Sequence, residues 1–333
     1  MPDWALIWGK FSLAVAVIAV AGSALSRNGD AIAQRTGLSG SWIGLLLLAT
    51  ATSLPELFTG VSAVRLANAP DIAVGDVFGS CIFNLAVIVV LDALHRGHSV
   101  FDKMDESHLL MAAFGIILIG FGGAGLLLAP ASLAPSFLQV SVFSPLLILL
   151  YLLALRAIFY FEAGRPKAEG RKTGPSLGKA IAGYTTAAAF VVGAGAWLPF
   201  IGQDLANATG LGQTFVGTLM IAFATSVPEV VVSASALRIG ALDMAIANLL
   251  GSNLFNMLVL AIDDIAYVHG SLLEVASKAH ATTAFMAMIM SGIVIVALLH
   301  RPGRRFFGAF SWASLALAAV YFLGSYVTYL YGR

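Results

Sequence analysis

The chain carries the same polar motif twice, each time inside an apolar segment. Residues 44–65 read GLLLLATATSLPELFTGVSAVR and residues 217–238 read GTLMIAFATSVPEVVVSASALR, so that eleven of the 22 positions are identical. Residues 71–92 and 243–264 form a second matching pair, with eight of 22 positions identical and a shared Gly-Ser-x-x-Phe-Asn. The two pairs keep their order, at offsets of 173 and 172 residues. Apolar segments share leucine by composition alone, but Thr, Ser, Pro, Glu and Asn in register indicate an internal duplication.

Long apolar runs surround these motifs and predict a membrane protein. Of the 333 residues, 59% are hydrophobic and only 11% are charged, and the mean hydropathy is +0.92. A soluble domain of this length needs more polar surface to cover its core. A run of about 20 apolar residues can cross a bilayer as a helix, and we expect ten such helices in an all-α polytopic membrane protein. They are predicted at residues 5–26, 42–65, 71–94, 108–129, 137–160, 180–201, 214–237, 243–267, 281–299 and 306–330.

The duplication divides these ten helices into two repeats of five. We expect the first repeat at residues 1–161, with its motif region at about 42–92, and the second at 180–333, with its motif region at about 214–264. The polar segment 162–179 is predicted to be a linker that is too short to fold alone. Five is an odd number of crossings, so the two repeats are expected to have opposite orientations in the membrane, as in many secondary transporters.

The basic residues predict how the chain is oriented. With the N-terminus outside the cell, 14 of the 18 Lys and Arg residues lie in cytoplasmic connections, including the linker. Only Lys10, Arg65, Lys278 and Arg333 lie on the other side. Cytoplasmic loops of membrane proteins are enriched in Lys and Arg. We therefore expect a multi-pass protein of the cell membrane (plasma or inner membrane) with its N-terminus outside and its linker in the cytoplasm.

The first pair of motifs places oxygen-bearing groups on one face of a helix. In each copy an alanine, a threonine, a serine and a glutamate fall at i, i+3, i+4 and i+7, namely Ala49, Thr52, Ser53 and Glu56, and Ala222, Thr225, Ser226 and Glu229. Pro55 and Pro228 cannot donate a backbone hydrogen bond, so each frees a carbonyl oxygen in the preceding turn. Carboxylate, carbonyl and hydroxyl oxygens are the ligands of hard cations such as Ca²⁺. A carboxylate at the bilayer centre costs about 2.5 kcal/mol or more, so a repeated one indicates function.

The second pair of motifs adds oxygen atoms on the neighbouring helix. Each copy has a serine and an asparagine four residues apart on one face, Ser80 with Asn84 and Ser252 with Asn256. Asp76 lies one turn before Ser80 and adds a third carboxylate, whereas its counterpart in the second copy is the neutral Asn248. The two glutamates together balance one Ca²⁺ or two Na⁺.

Other polar residues are predicted to have structural roles. Asp92, Asp263 and Asp264 lie at the ends of apolar spans, where we expect them to be solvated at the membrane interface. Cys81 is the single cysteine, which excludes an intramolecular disulfide, and we expect it to be a small packing residue. The net charge of only +1 gives no indication of a nucleic acid partner.

Taken together, the motifs resemble those of the sodium/calcium exchanger family, of prokaryotic type with two repeats, within the wider cation/calcium exchanger superfamily. The resemblance rests on Thr-Ser-x-Pro-Glu at 52–56 and 225–229 and on Gly-Ser-x-x-Phe-Asn at 79–84 and 251–256. It implies a fold of ten helices and a central site in which Glu56 and Glu229 are the main cation ligands. It also implies supporting ligands from both copies, namely Thr52, Ser53, Ser80, Asn84, Thr225, Ser226, Ser252 and Asn256, with the carbonyls of Ala49 and Ala222 serving Na⁺.

Five positions depart from the family's pattern. Ala51 and Ala224 stand where the family often has Gly, and Asp76 and Cys81 stand where it usually has Asn. Asn256 replaces an Asp that many members carry, which leaves the site with one carboxylate fewer. Asp76 is a candidate to compensate for that loss, and these departures leave the transported ions open.

These observations predict a secondary active cation antiporter that works by alternating access. The leading interpretation is exchange of Na⁺ for Ca²⁺, and the alternative is a cation/H⁺ antiporter (Ca²⁺/H⁺ or Na⁺/H⁺) that uses the same glutamates. The expected partners are Ca²⁺, Na⁺, in the alternative H⁺, and the lipid bilayer, with no cofactor. The sequence contains no nucleotide-binding loop and no His-Glu-x-x-His, so we expect neither an ATP-driven pump nor an enzyme. The inverted duplication argues against a channel.

Overall fold

Long helices make up most of the computed structural model, which describes residues 4–36, 48–95, 98–129, 140–163, 175–303, 305–306 and 309–332. Within these ranges the principal helices are α1 (Trp4–Thr36), α2 (Leu54–Arg65), α3 (Pro70–Leu94), α4 (Glu106–Leu128), α5 (Phe143–Ala163), α6 (Leu177–Thr209), α7 (Gln213–Thr225), α8 (Val227–Arg238), α9 (Leu242–Ala266), α10 (Ala279–His300) and α11 (Trp312–Tyr331). A 3₁₀ turn at Val100–Asp102 follows α3, and a short helix at Leu272–Val275 follows α9. Strands β1 (Arg305–Phe306) and β2 (Phe310–Ser311) form an antiparallel hairpin before α11.

The helices confirm the all-α polytopic fold expected from the sequence. Eight described helices are long and apolar enough to cross a membrane, and α7 with α8 forms a ninth candidate that is bent by 44°. The predicted span 42–65 begins in residues outside the described part, which resumes with helical residues 48–52 and then α2. Most of the predicted linker 162–179 also lies outside the described residues, and α6 begins within it.

Helices at equivalent positions of the two repeats have matched lengths. α1 and α6 contain 33 residues each, and α3 and α9 contain 25 each. α4 and α10 contain 23 and 22 residues, and α5 and α11 contain 21 and 20. The duplication seen in the motifs therefore extends to the helices that flank them.

The two helices that carry the Gly-Ser-x-x-Phe-Asn motifs lie at the centre of the bundle. In their most apolar windows, 67% of the residues of α3 and 83% of those of α9 are buried, the highest fractions among the candidate spans. α3 contacts α9 and α7, while α1 packs along α6 and α4 packs along α10. Only 28% of the corresponding residues of α5 and α11 are buried. Their large exposed apolar surface is suited to lipid contact.

Each repeat interrupts a helix at the serine of its Thr-Ser-x-Pro-Glu motif. Ser53 (φ −90°, ψ 11°) separates helical residues 48–52 from α2, and Ser226 (φ −84°, ψ 6°) separates α7 from α8. Pro55 and Pro228 occupy the first turn of the helix that follows, where a missing N–H is tolerated. The sequence therefore creates two matching helix breaks in the buried interior, each followed directly by a glutamate.

Two glycines let α3 approach the backbone of α7. A Cβ at Gly79 would lie 2.7 Å from the carbonyl carbon of Thr218, and one at Gly75 would lie 2.9 Å from the backbone nitrogen of Thr218. Both distances are shorter than real Cβ contacts, so any larger residue here would push the helices apart. The facing part of α7 forms a π-helical turn at Val216–Ile221. Small residues thus bring the two repeats into direct backbone contact.

The three aspartates that we predicted to be solvated at the membrane interface are instead fully buried, so that prediction is wrong for Asp92, Asp263 and Asp264. The physical reason is that the segments after α3 and α9 and before α5 and α11 fold over the ends of the spans. These segments supply hydrogen-bond donors to Asp92 and Asp264. Asp263 differs, because neither of its carboxylate oxygens has a hydrogen-bond partner among the described residues.

Four donors surround the carboxylate of Asp92, an arrangement that we call the Asp92 clamp. Its Oδ1 accepts hydrogen bonds from Ser99 Oγ (2.9 Å) and the backbone N–H of Val100 (3.0 Å). Its Oδ2 accepts from the backbone N–H of Ser311 (2.9 Å) and from Ser314 Oγ (2.6 Å). A buried carboxylate with four donors is well solvated by the protein itself. The clamp ties the end of α3 to the loop that follows it and to the start of α11.

The second repeat contains the same arrangement, which we call the Asp264 clamp. Oδ1 of Asp264 accepts from Ser271 Oγ (3.2 Å) and the backbone N–H of Leu272 (2.6 Å). Oδ2 accepts from the backbone N–H of Ser141 (2.8 Å) and from Ser144 Oγ (2.5 Å). The clamp ties the end of α9 to its following loop and to the segment that starts α5. The duplication is therefore preserved at the level of single hydrogen bonds.

Candidate cation-binding site

Glu56 and Glu229 lie in the buried interior, and each accepts a hydrogen bond from a serine of the other repeat. Ser226 Oγ donates to Glu56 Oε1 at 3.0 Å, and Ser53 Oγ donates to Glu229 Oε1 at 3.0 Å. All four side chains are fully buried. The two bonds are equal and reciprocal, as expected where two copies of one motif face each other across a local two-fold axis.

A second serine, from α3 or α9, approaches each glutamate. Ser80 Oγ lies 3.4 Å from Glu56 Oε1, and Ser252 Oγ lies 3.3 Å from Glu229 Oε1. Atom Oε2 of each glutamate has no hydrogen-bond partner among the described residues. A buried carboxylate oxygen without a donor is costly. Each glutamate therefore offers one oxygen that is free to coordinate a positive charge.

The threonines of the motifs contact a pair of equivalent positions that differ in charge. Thr225 Oγ1 donates to Asp76 Oδ1 at 2.8 Å, whereas Thr52 Oγ1 donates to Asn248 Oδ1 at 3.3 Å. Oδ2 of Asp76 has no hydrogen-bond partner in the described part of the chain. The structure thus brings Asp76 next to the glutamates, and it does so on one side of the two-fold axis.

The asparagines of the second motif pair, Asn84 and Asn256, each make a contact between α3 and α9. Asn84 Nδ2 donates to Asn253 Oδ1 at 3.0 Å, and Asn256 Nδ2 lies 3.9 Å from the Sγ of Cys81. Asn253 Nδ2 also donates to the backbone carbonyl of Cys81 at 3.2 Å. The sequence analysis did not include Asn253 among the candidate ligands. A usable signal was that Asn253 occupies, in the second copy of the motif, the position that Cys81 occupies in the first. Cys81 is buried and packs here, at the contact between the repeats.

The carbonyl oxygens of Ala49 and Ala222 are engaged within their own helices. Each accepts a hydrogen bond from the backbone N–H four residues later, at 3.1 Å in both copies. The hydroxyl oxygen of the neighbouring threonine also lies within hydrogen-bond distance, at 3.0 Å from the Ala49 carbonyl and 3.2 Å from the Ala222 carbonyl, and its single proton is shared between this carbonyl and the side chain of Asn248 or Asp76. Coordination of Na⁺ by these carbonyls requires the threonine hydroxyls to turn away.

The arrangement is suited to a hard cation. The carboxylates of Glu229 and Asp76 act electrostatically on Glu56, and like charges at such a site repel unless a cation or protons neutralise them. Among the described residues, no group of three or more His, Cys, Asp and Glu side chains could hold a metal ion by itself. A cation bound here would therefore depend on hydroxyl, amide and carbonyl oxygens in addition to carboxylates, which is the chemistry of Ca²⁺ and not of softer metals.

Comparison with known protein families shows to which family the chain belongs. The family described as "Sodium/calcium exchanger protein" matches residues 6–163 and, a second time, residues 179–333. The chain belongs to this family. Its members are cation antiporters and not enzymes, and the double match confirms that the exchanger repeat is present twice.

The chain is similar to several known proteins, among them the following three. The chain is 25% identical to the sodium/calcium exchanger MaX1 of Methanosarcina acetivorans over 310 residues, which cover 82% of this chain and 85% of MaX1. It is 28% identical to the inner membrane protein YrbG of Escherichia coli K12 over 231 residues, 65% of this chain and 66% of YrbG. The crystal structure of the H⁺/Ca²⁺ exchanger CAX superposes with a TM-score of 0.70 over 97% of this chain and 86% of CAX. At 13% identity, this last likeness shows the fold alone.

Proposed function

We propose that this exchanger moves Na⁺ in one direction and Ca²⁺ in the other through a site shared by Glu56 and Glu229. The observation that carries the proposal is the reciprocal pair of glutamates, one from each repeat, each with one unpaired buried oxygen. The serines and threonines around them are the supporting ligands, with the amide oxygens of Asn84 and Asn256 near by. These two amide oxygens also lack partners among the described residues.

The charge of the site favours Ca²⁺ and Na⁺ as alternative occupants. Two ionised glutamates balance one Ca²⁺ or two Na⁺, so either set of ions neutralises the same pair of carboxylates. The two ions then compete for one site, which is the basis of antiport. The relative named as a sodium/calcium exchanger, MaX1, shares most of its length with this chain, and this likeness supports the same choice of ions.

Alternating access follows from the reciprocal contacts. Each glutamate is held by a serine of the opposite repeat, so movement of one repeat against the other must exchange or break both bonds. Because the halves are related by duplication, the conformation that opens the site to one side has an equivalent that opens it to the other. We further propose that the repeats span residues 1–161 and 180–333.

We also propose that the chain lies in the cell membrane with its N-terminus outside. The support is the concentration of Lys and Arg in the connections on one side. The similarity to an inner membrane protein of E. coli supports the choice of membrane.

A cation/H⁺ antiporter is the second candidate, and Asp76 is the observation in its favour. This third buried carboxylate adds negative charge beyond what one Ca²⁺ neutralises, and a proton would balance it. The likeness of the fold to the H⁺/Ca²⁺ exchanger CAX agrees with either candidate.

Transport in proteoliposomes tests the proposal and separates the candidates. Radiolabelled Ca²⁺ uptake is measured into vesicles loaded with Na⁺, and then into vesicles with a pH gradient and no Na⁺. We expect uptake to require the outward Na⁺ gradient and to vanish in Glu56→Gln and Glu229→Gln. Asp204→Asn is the matched control, because this exposed carboxylate pairs with Lys10, at 3.4 Å, and its loss leaves uptake unchanged. Uptake driven by the pH gradient alone contradicts Na⁺ coupling and supports the second candidate.

A further inference from the structure

Asp263 is a buried carboxylate that the repeat-related site does not include. It lies on α9 and its side chain is completely buried. Neither oxygen has a hydrogen-bond partner among the described residues, in contrast to the four donors on the adjacent Asp264. A carboxylate with a structural role normally accepts hydrogen bonds from such donors. The contacts of Asp263 therefore show no role in stabilising the fold.

A glycine makes the space that Asp263 occupies. A Cβ at Gly60 on α2 would lie 2.6 Å from Oδ1 of Asp263, so the carboxylate fills the volume that any other residue would take. The duplication relates Gly60 to Ser233 and Asp263 to Leu91, so the equivalent place on the other side of the two-fold axis has a serine and a leucine. Both are buried there. The carboxylate and the space that admits it therefore occur together, and on one side of the two-fold axis only.

Asp76 belongs to the same side of the two-fold axis as Gly60 and Asp263. On the other side, Asn248 Nδ2 donates to Ser233 Oγ at 3.3 Å and closes the equivalent space. An aspartate cannot donate such a bond when ionised, and Gly60 has no side chain to accept it. The two exchanges, Asn to Asp and Ser to Gly, thus remove the hydrogen bond that closes this space, and the Asp263 carboxylate occupies it.

Asp263 lies between the glutamates and one end of the bundle. α3 and α9 run antiparallel, because the contacts Cys81–Asn256 and Asn84–Asn253 progress in opposite directions along them. Continued along both helices, this register puts Asp76 level with residue 261 of α9, two residues before Asp263. At 1.5 Å per residue, Asp76 therefore lies about 3 Å further from the end of α9 than Asp263 does. Asp263 is in the last turn of α9. From the end of α9 inward, the carboxyl groups therefore follow one another in the order Asp263, Asp76 and the two glutamates.

The electrostatic surroundings of Asp263 are acidic. Asp76 on α3 and Asp264 on its own helix both act on it electrostatically. The helices packed against α9 also carry the titratable groups Asp71 and Asp92 (α3), Glu56 and Arg65 (α2), Glu106 and His108 (α4), Arg156 (α5), Glu229 and Arg238 (α8), and Glu274 (the short helix at Leu272–Val275). The three arginines are exposed. An ionised carboxylate without donor or counter-charge in an apolar interior costs several kcal/mol, so a group in this position takes up a proton instead.

We propose that Asp263 is a proton-binding residue outside the repeat-related site, and that its charge regulates cation binding there through Asp76. When Asp263 loses its proton, the added negative charge next to Asp76 strengthens cation binding. When it is protonated, that contribution disappears. The first part of the proposal concerns Asp263 alone, and the regulatory part rests on the proposed function.

Infrared spectroscopy tests proton binding without any transport. Spectra of the protein in bilayers are recorded across a pH titration, in H₂O and D₂O, in the background Glu56→Gln, Asp76→Asn and Glu229→Gln. We expect a carboxylic C=O band that disappears at alkaline pH and is missing when Asp263→Asn is added. Asp204→Asn in the same background retains the band. A band that persists in full after Asp263→Asn overturns the proposal.

Calcium binding at several pH values tests the regulatory part. We expect Asp263→Asn, and Asp263→Leu with the residue that the first repeat has at Leu91, to show a smaller rise in Ca²⁺ affinity on alkalinisation than the otherwise native protein. Their affinity at acidic pH remains that of the native protein, which shows that the site itself is intact. A native pH dependence in both variants overturns regulation through Asp263. If the native protein binds no Ca²⁺ at all, the proposed function fails, and the infrared result still decides whether Asp263 binds a proton.

Discussion

Replacing Asp92 with asparagine tests the Asp92 clamp quantitatively. Asparagine has the same shape, but only one of its two terminal atoms accepts hydrogen bonds. Whichever way the amide is placed, its NH₂ group faces a backbone N–H, that of Val100 or that of Ser311, and neither can rotate away. One charge-assisted hydrogen bond is lost and one buried N–H is left without an acceptor. We therefore expect the free energy of unfolding to fall by about 3 kcal/mol.

Thermal unfolding of the purified protein in detergent measures this loss. A change of about 3 kcal/mol lowers the melting temperature by roughly 5 °C or more in a chain of this size. Asp264→Asn removes the equivalent bond in the second repeat and should lower the melting temperature by a similar amount. Asp204→Asn, at a side chain that is 48% exposed, is the control. If both clamp variants melt at the temperature of the control, the four-donor reasoning is refuted.

Three further predictions concern the site and its supports. Ser53→Ala and Ser226→Ala should each weaken Ca²⁺ binding by about tenfold, because each removes one hydroxyl from a glutamate; clearly unequal losses in a binding titration would contradict the reciprocal geometry. Gly79→Ala should lower the melting temperature more than Gly251→Ala, because its Cβ meets backbone atoms of Thr218, whereas that of Gly251 meets only a methyl group at 3.1 Å; the reverse order would be inconsistent with this packing. Acidification should reduce Ca²⁺ uptake, because protons compete with Ca²⁺ for the same carboxylates; uptake that increases on acidification in equilibrated vesicles would argue against this competition.

Helical spans were predictable because each rests on local sequence. Apolar runs of sufficient length set the positions of α3, α4, α9 and α10, and turn residues or charges separate them. We predicted continuous spans at 42–65 and 214–237, but the helix breaks at Ser53 and Ser226 had a local signal, since a proline two residues later removes a hydrogen bond from the preceding turn of its own helix. Internal repetition then indicated that the two breaks face equivalent surroundings.

Burial of the aspartates was not predictable from hydropathy alone. Asp92 lies at the end of an apolar run, and nothing within that run shows that a distant serine pair at the start of α11 will cover it. A usable signal was present in the repeat, because Asp92 and Asp264 are each followed seven residues later by a serine. The same spacing in both copies indicates a shared contact, which the structure shows to be the two clamps.

Asp263 has no equivalent in the first repeat, and this explains why repeat-based reasoning assigned it to the membrane interface. Its partner space arises from Gly60, which is far away in sequence and meets it only in the folded bundle. For the thirteen candidate ligands, the sequence predicted which residues share a helix face. The hydrogen bonds between the serines of one repeat and the glutamate of the other, by contrast, depend on the packing of α2 against α9 and of α8 against α3. No single helix determines that packing.

Equilibrium binding of radiolabelled Ca²⁺ to the purified protein tests most directly whether Glu56 and Glu229 form one shared site. We expect one Ca²⁺ per chain, displaced by Na⁺, and no binding in either Glu56→Gln or Glu229→Gln while both variants keep the melting temperature of the unaltered protein. Full binding of Ca²⁺ by either of these variants would contradict the account, because a site shared between the repeats requires both carboxylates.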